Sequence, residues 1–253
     1  MRQLFKLLLA ITFITGSGYT FAKPHALVTE DSLVTVNRQI TEFDALQISG
    51  PFDVYIEQGN TESLSYKAPK EVLDRILTEI EGHTLHISNK HDNWGWSDKS
   101  WWSDKSWWRH HPKIVVNITV KDLGGIKVSG SGGAFFANGI STNSLKLTVR
   151  GSGSIRGKVN VKELESHVSG SGHIKLSGTA GSSKSKVSGS GNFVAADLVT
   201  SSSVVRVSGS GNAKINASDK VVAGVSGSGD VRYTGDAKSV KSSTSGSGNV
   251  SKF

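Results

Sequence analysis

One pentapeptide constrains this chain more than any other feature. Val-Ser-Gly-Ser-Gly, or a close variant, occurs seven times in the second half: Val128–Gly132, Val149–Gly153, Val168–Gly172, Val187–Gly191, Val207–Gly211, Val225–Gly229 and Thr244–Gly248. The first glycines of successive copies lie 21, 19, 19, 20, 18 and 19 residues apart. A fixed period near 20 residues is the signature of a solenoid, in which each repeat is one supersecondary unit stacked on its neighbours. Glycine and serine alone would also describe a flexible linker. A linker, however, has no reason to place Val at the same point before Gly-Ser-Gly in six copies.

The segments between the glycines decide what kind of solenoid. Leu145-Lys146-Leu147-Thr148-Val149, His173-Ile174-Lys175-Leu176, Ser203–Val207 and Val221–Val225 are short and rich in β-branched residues, and some alternate cleanly. They predict an all-β, single-stranded parallel β-helix over residues 126–253, with one rung per 19 residues or so and six to seven rungs. At a strand spacing of about 4.8 Å that is roughly 30 Å of stack, with Val and Ile ladders inside. Glycine at each corner supplies either positive φ or room for close approach to the next rung. The residue after the corner is His173, Asn192, Asn212, Asp230 or Asn249 in five copies. Asn and Asp tolerate the left-handed region and can stack as hydrogen-bonding ladders.

The chain has 253 residues and no cysteine, so disulfides and thiolate metal sites are excluded. Residues 1–22 combine a basic start (Arg2, Lys6), an apolar run from Leu7 to Thr15 and small residues near Ala22. This predicts a secretory signal peptide cut near Ala22-Lys23. Losing Arg2 and Lys6 lowers the formal charge from +8 to +6. No later stretch is long and apolar enough for a membrane-spanning helix. The expected location is the periplasm, the outer surface or the medium. In an exported protein, scattered lysines do not point to nucleic acid. They read either as a solvated strand face or as attraction to an anionic cell surface or polysaccharide.

Residues 23–37 read as a loose lead-in, and residues 38–125 as a less regular β-rich part. Leu46/Ile48 and Phe52/Val54/Ile56 predict two strands joined across Gly50-Pro51, with Ser49-Gly50 a degenerate first copy of the corner. Leu64–Ala68 is a further strand. Pro69–Ile80 has helical spacing and predicts either a short helix or one helical turn followed by a strand. Leu85–Ile87 and Ile114–Val120 alternate and are expected to pair or to occupy successive rungs.

Residues 90–112 stand apart. They hold all six tryptophans (Trp94, Trp96, Trp101, Trp102, Trp107 and Trp108), and Ser-Asp-Lys-Ser-Trp-Trp is repeated in tandem from Ser97 to Trp108. Three readings are open: a segment that packs on or caps the solenoid, an exposed recognition loop that stacks on sugars or inserts at a surface, or a duplication drifting in a tolerant loop. The recognition reading makes these tryptophans the candidate ligand-binding residues. His91, Asp92, His110 and His111 lack metal-ligand spacing, as do His83 and His86. The glycine corners lack the phosphate-loop ending and the period of calcium-binding repeats. Glu163 and Glu165 share a strand face, but the other carboxylates of the repeats fall on different rungs, and no Ser-His-Asp set stands out. No catalytic constellation and no cofactor are expected.

Phe43-Asp44, Ile48–Val54, Gln58-Gly59, Gly82–Ser88, Ile114–Val120, Leu123 and the Val-Ser-Gly-Ser-Gly series together resemble the putative auto-transporter adhesin, head GIN domain family of exported bacterial proteins. The resemblance spans residues 38–253; the tandem tryptophan hexapeptide lies outside its pattern. It implies a β-helical architecture, a surface or periplasmic location and an adhesin-like role, with no catalytic residues to carry over. The expected function is therefore a non-catalytic binding protein whose partner is a cell-surface glycan or envelope protein. The alternatives are a purely structural envelope protein and a carbohydrate-active β-helix enzyme.

Overall fold

A computed structural model describes residues 33–40, 42–73, 75–90 and 114–253. The chain is nearly all β and forms one β-solenoid of about 7 turns with a spacing near 19 residues. Five long strands make its regular part: β9 (Gly133–Gly151), β10 (Ser154–Gly170), β11 (His173–Gly189), β12 (Asn192–Gly209) and β13 (Asn212–Gly227). The last rungs are shorter pieces, β14 (Asp230–Thr234), β15 (Ser239–Ser245) and β16 (Asn249–Lys252). All pair parallel with the rung before. In each rung a first wall follows a Gly-Ser-Gly corner and a second wall runs into the next corner, with further bends between them, as at Gly139 (φ +97) and Gly178 (φ +105).

The register turns sequence period into ladders. Val128, Val149, Val168, Val187, Val207 and Val225 stack directly on one another, and all are buried. The facing ladder runs Ala134, Ile155, Ile174, Phe193, Ala213, Val231. Hydrogen bonds continue through the corners: Ser171 N donates to Gly151 O at 3.0 Å, and Ser190 N to Gly170 O at 2.9 Å. Backbone groups at the bend thus keep partners, as buried polar groups must.

The two glycines of a corner do different jobs. Gly170 has φ +107, a left-handed conformation that L side chains avoid. At Gly153 a Cβ would lie 2.7 Å from both Gly132 O and Val128 Cγ1, so the rung spacing leaves no room for one. Of the two expectations for the residues after the corner, the side-chain ladder holds and the left-handed backbone does not. Among the described residues only Glu42 is a non-glycine with positive φ, so Asn192, Asn212 and Asp230 begin strands in extended backbone and ladder through their side chains.

The N-terminal part is stacked out of chain order. β2 (Ala45–Ser49) and β3 (Asp53–Gln58) form one rung, bent at Gly50 (φ +134). One side of this rung is covered by β8 (Gly125–Gly130) and the start of β9. The other side is covered by β6 (Thr84–Asn89) and β7 (Val115–Val120). β6 and β7 therefore neither pair with each other nor occupy successive rungs; they are the two walls of one rung. Gly132 N donates to Gly50 O at 2.9 Å, so Ser49-Gly50 is a true first corner.

Beyond that rung the direction reverses. β4 (Ser63–Pro69) runs antiparallel on β7, β1 (Leu33–Arg38) antiparallel on β4, and β5 (Ile76–Glu81) antiparallel on β6. The lead-in thus contributes a strand where a loose segment was expected. Residues 69–80 resolve into one helical turn, α1 (Lys70–Leu73), and then β5. Tyr66 Oη donates to Thr78 Oγ1 at 2.6 Å and Arg38 Nη1 to the same oxygen at 2.8 Å, tying β4, β1 and β5 together across the end. One hydrophobic core runs from this end through the repeats.

Candidate binding flank of the stack

Outward positions form columns just as inward ones do. On the first wall one column reads Tyr55, Phe135, Arg156, Lys175, Val194, Lys214, Arg232. Tyr55 is 46% exposed, and its ring stacks on that of Phe135 with centroids 5.2 Å apart and planes at 28°. Offset stacking of this kind holds both rings in place while leaving a face open. Val194 interrupts the cations. Its short side chain floors a shallow groove of about 290 Å³ lined by Asn192, Asn212, Lys214, Asp230 and Arg232.

The neighbouring column is polar and internally bonded. Asn212 Nδ2 donates to Asn192 Oδ1 at 3.2 Å, which leaves the Asn192 amide to meet His173 Nδ1 at 3.1 Å. Asp230 N donates to Asn212 Oδ1, and Asn249 N to Asp230 Oδ1, both at 3.1 Å. This column fixes the side chains beside the groove in one arrangement. The wall thus offers aromatic faces at one end, cations and preset amides at the other, on a backbone paired strand to strand along the stack.

The six tryptophans, together with His91, Asp92, His110 and His111, lie outside the described residues, as do residues 1–32. The register nevertheless fixes the step that the tryptophan stretch spans. Ile87 aligns with Ile48, and Val115 with Asp53. Asp53 N donates to Ile114 O at 3.0 Å, just as Gly133 N donates to Phe52 O at 2.8 Å one rung on. Residues 89–113 thus connect β6 to β7 where Gly50-Pro51 connects β2 to β3. The described residues Asn89 and Ile114, on either side of the tryptophan segment, sit at the corner end of β6 and β7, one rung from Tyr55.

His86 Nε2 lies 3.7 Å from Glu81 Oε2. Among the described residues no three His, Asp or Glu side chains converge as a metal site would need. Glu165 pairs with Lys146 at 3.3 Å and Asp219 with Lys238 at 3.0 Å, both on the surface. Phe253 is 55% exposed, its ring 6.0 Å from Lys214 Nζ. Its backbone extends the pairing to Tyr233 O, and the in-out alternation then turns the ring outward. Tyr55, Phe135 and the cation column escape a linear reading because stacked partners are 18 to 80 residues apart. Writing the sequence in rows of about 19 would have aligned most of them.

A family model described as "Putative auto-transporter adhesin, head GIN domain" matches residues 42–237. Solved structures share the fold. A "putative adhesin" from Bacteroides fragilis superposes with a TM-score of 0.77 at 23% identity, covering 87% of this chain and 97% of that one. A "putative lipid binding protein" from Parabacteroides distasonis gives 0.66 at 22% identity, covering 88% and 97%. A "putative adhesin" from the same species gives 0.68 at 20% identity, covering 87% and 97%. No curated protein matches the chain by sequence.

Proposed function

The chain belongs to the family described as "Putative auto-transporter adhesin, head GIN domain", and on that premise we propose that it is an exported, non-catalytic adhesin-like protein that binds a cell-surface glycan along the first wall. The exposed Tyr55–Phe135 stack carries this reading. Aromatic faces held rigidly at a surface suit the apolar faces of sugar rings, and the adjoining amides and cations suit their hydroxyl and anionic groups. Trp94, Trp96, Trp101, Trp102, Trp107 and Trp108 are assigned a share of that contact on the strength of their sequence, in a segment that joins β6 to β7, the two strands stacked on the Tyr55 rung. The leader at residues 1–22 directs export to the periplasm or beyond.

A glycan array probed with wild type, with Tyr55→Ala/Phe135→Ala and with a deletion of residues 94–108 tests this. Loss of the bound glycans in the double variant, with an unchanged circular dichroism spectrum, is the expected result. Loss in the deletion as well assigns the tryptophans a share of the contact. If all three bind the same glycans, the first wall is not the site, and a structural role in the envelope becomes the better account.

A further inference from the structure

The second wall carries a separate feature. Its outward column reads Lys127, Thr148, His167, Lys186, Arg206 on five successive rungs. In sequence these residues are about 20 apart and look scattered; in the stack they are neighbours, spaced at about 4.8 Å. The column on one side holds Lys146, Glu165 and Lys184. The column on the other holds Arg150 and then Ser169, Ser188 and Ser208. In these three columns Lys127, Lys146, Arg150, Lys184, Lys186 and Arg206 face one carboxylate, Glu165, which is already paired with Lys146. Glu163 lies one column further out, aligned with Ser144 and Ser182.

We propose that this second-wall column is a docking track for an anionic polysaccharide lying along the solenoid axis. Charge complementarity is the first argument: a row of like charges on a rigid sheet attracts a chain of opposite charge laid parallel to it. Shape is the second. The cations extend in one dimension, about 19 Å from Lys127 to Arg206, and serine hydroxyls run beside them to meet sugar hydroxyls. Chemistry separates the occupants. Val204 is the one large apolar side chain facing out within the three columns from Lys127 to Arg206, so the track lacks the hydrophobic insertion of a membrane-surface site. Its one ring is the His167 imidazole, so it lacks the successive aromatic platforms on which bases stack.

His167 reports on occupancy. It sits mid-column beside Lys186 of β11, Arg150 and Lys146 of β9, and Glu165 of its own strand. Partial burial first, then the Lys186 and Arg150 charges, hold its pKa below the ordinary 6.5, with Glu165 opposing. A polyanion laid over the column neutralises those cations and raises that pKa.

Binding to immobilised alginate, a polyuronate, measured against neutral dextran, tests the track. Wild type should bind alginate, not dextran, and weaken as salt rises. Lys186→Gln/Arg206→Gln should bind on the order of tenfold more weakly, the effect expected for two exposed charge contacts. Lys70→Gln/Lys121→Gln, with the same net charge but altered at exposed positions outside both walls' columns, should stay within about twofold. The His167 ring resonances should titrate at higher pH with alginate present. Equal loss in both double variants, an unmoved His167, or stronger binding to anionic vesicles than to alginate would overturn the proposal. Alginate binding that survives Tyr55→Ala/Phe135→Ala keeps this track separate from the first-wall glycan reading.

Discussion

The repeats and the N-terminal part build the same kind of rung by opposite means. In residues 126–253 each rung lies on the one made just before it, in parallel register, turned by two glycines that leave no space above or below. In residues 33–124 the β2–β3 rung is laid first, the β6–β7 rung is added outside it, and the chain then crosses to the other face to start β8. The reversal to antiparallel β1, β4 and β5 ends the stack on that side. What this teaches is that a short period enforces order only while corners are too tight for anything but the next corner. Where a corner can be opened, as between β6 and β7, a long segment can be inserted without disturbing the ladders.

The comparison breaks most sharply at the glycines. Gly153→Ala should destabilise by on the order of 3 kcal/mol, because its Cβ would meet Gly132 O and Val128 Cγ1 at 2.7 Å. Gly82→Ala, in the β5–β6 turn at φ +60 with nothing near its Cβ, should cost only about 1 kcal/mol. Urea melts of the two variants read the difference; equal losses would mean that corner packing does not set the period.

The interior of the repeats is less perfect than its period. Ser166 and Ser203 are 2% and 1% exposed, and their hydroxyls have no hydrogen-bond partner. Ser203→Ala should therefore stabilise by about 1 kcal/mol, since an unpaired buried hydroxyl is unfavourable. Thermal melts check the sign, and a lower midpoint would show that the hydroxyl is satisfied in solution.

Replacing residues 89–113 by Gly-Pro yields Ile87-Ser88-Gly-Pro-Ile114-Val115, which matches Ile48-Ser49-Gly50-Pro51-Phe52-Asp53 position for position. The variant should fold with stability within about 1 kcal/mol of wild type, because the shorter closure offsets the lost pairing at Asn89. Aggregation or loss of the β spectrum would refute the corner-for-insert equivalence.

The smallest effects are pH effects, and they fall on opposite sides for the two regions. Burial pushes the Tyr66 hydroxyl above its ordinary 10.0, against the opposing pull of Thr78 and Arg38. Its neutral form is favoured in the fold, so this contribution is present below pH 10 and is lost as pH rises past it. His167, held below 6.5, favours its neutral form too, so its contribution is present above pH 6.5 and is lost as pH falls through that value. Tyr66→Phe should flatten the alkaline limb of the stability profile, and His167→Asn the acid limb.

Much of the repeat architecture is visible in the residues themselves. The valine before six of the seven corners, the glycine pair and the Asn or Asp after four of them recur at one period, and a stacked ladder needs that repetition. Rung length, parallel pairing and the aliphatic interior follow locally from it, and the β2–β3 bend was legible from Ser49-Gly50-Pro51. The family pattern was legible as well, because its short motifs are the corners and ladder residues themselves.

Three-dimensional packing decided the rest. Nothing local to Leu85–Ile87 or Ile114–Val120 says that they belong to the two walls of one rung, since their register is set by β2 and β3, 39 and 62 residues earlier in the chain. The antiparallel end strands depend on an exposed edge that exists only once that rung is in place. The surface columns depend on the stack in the same way. A residue's outward direction is a local property, but its neighbours above and below belong to other rungs, and only the closed register brings Tyr55 to Phe135 or His167 to Lys186.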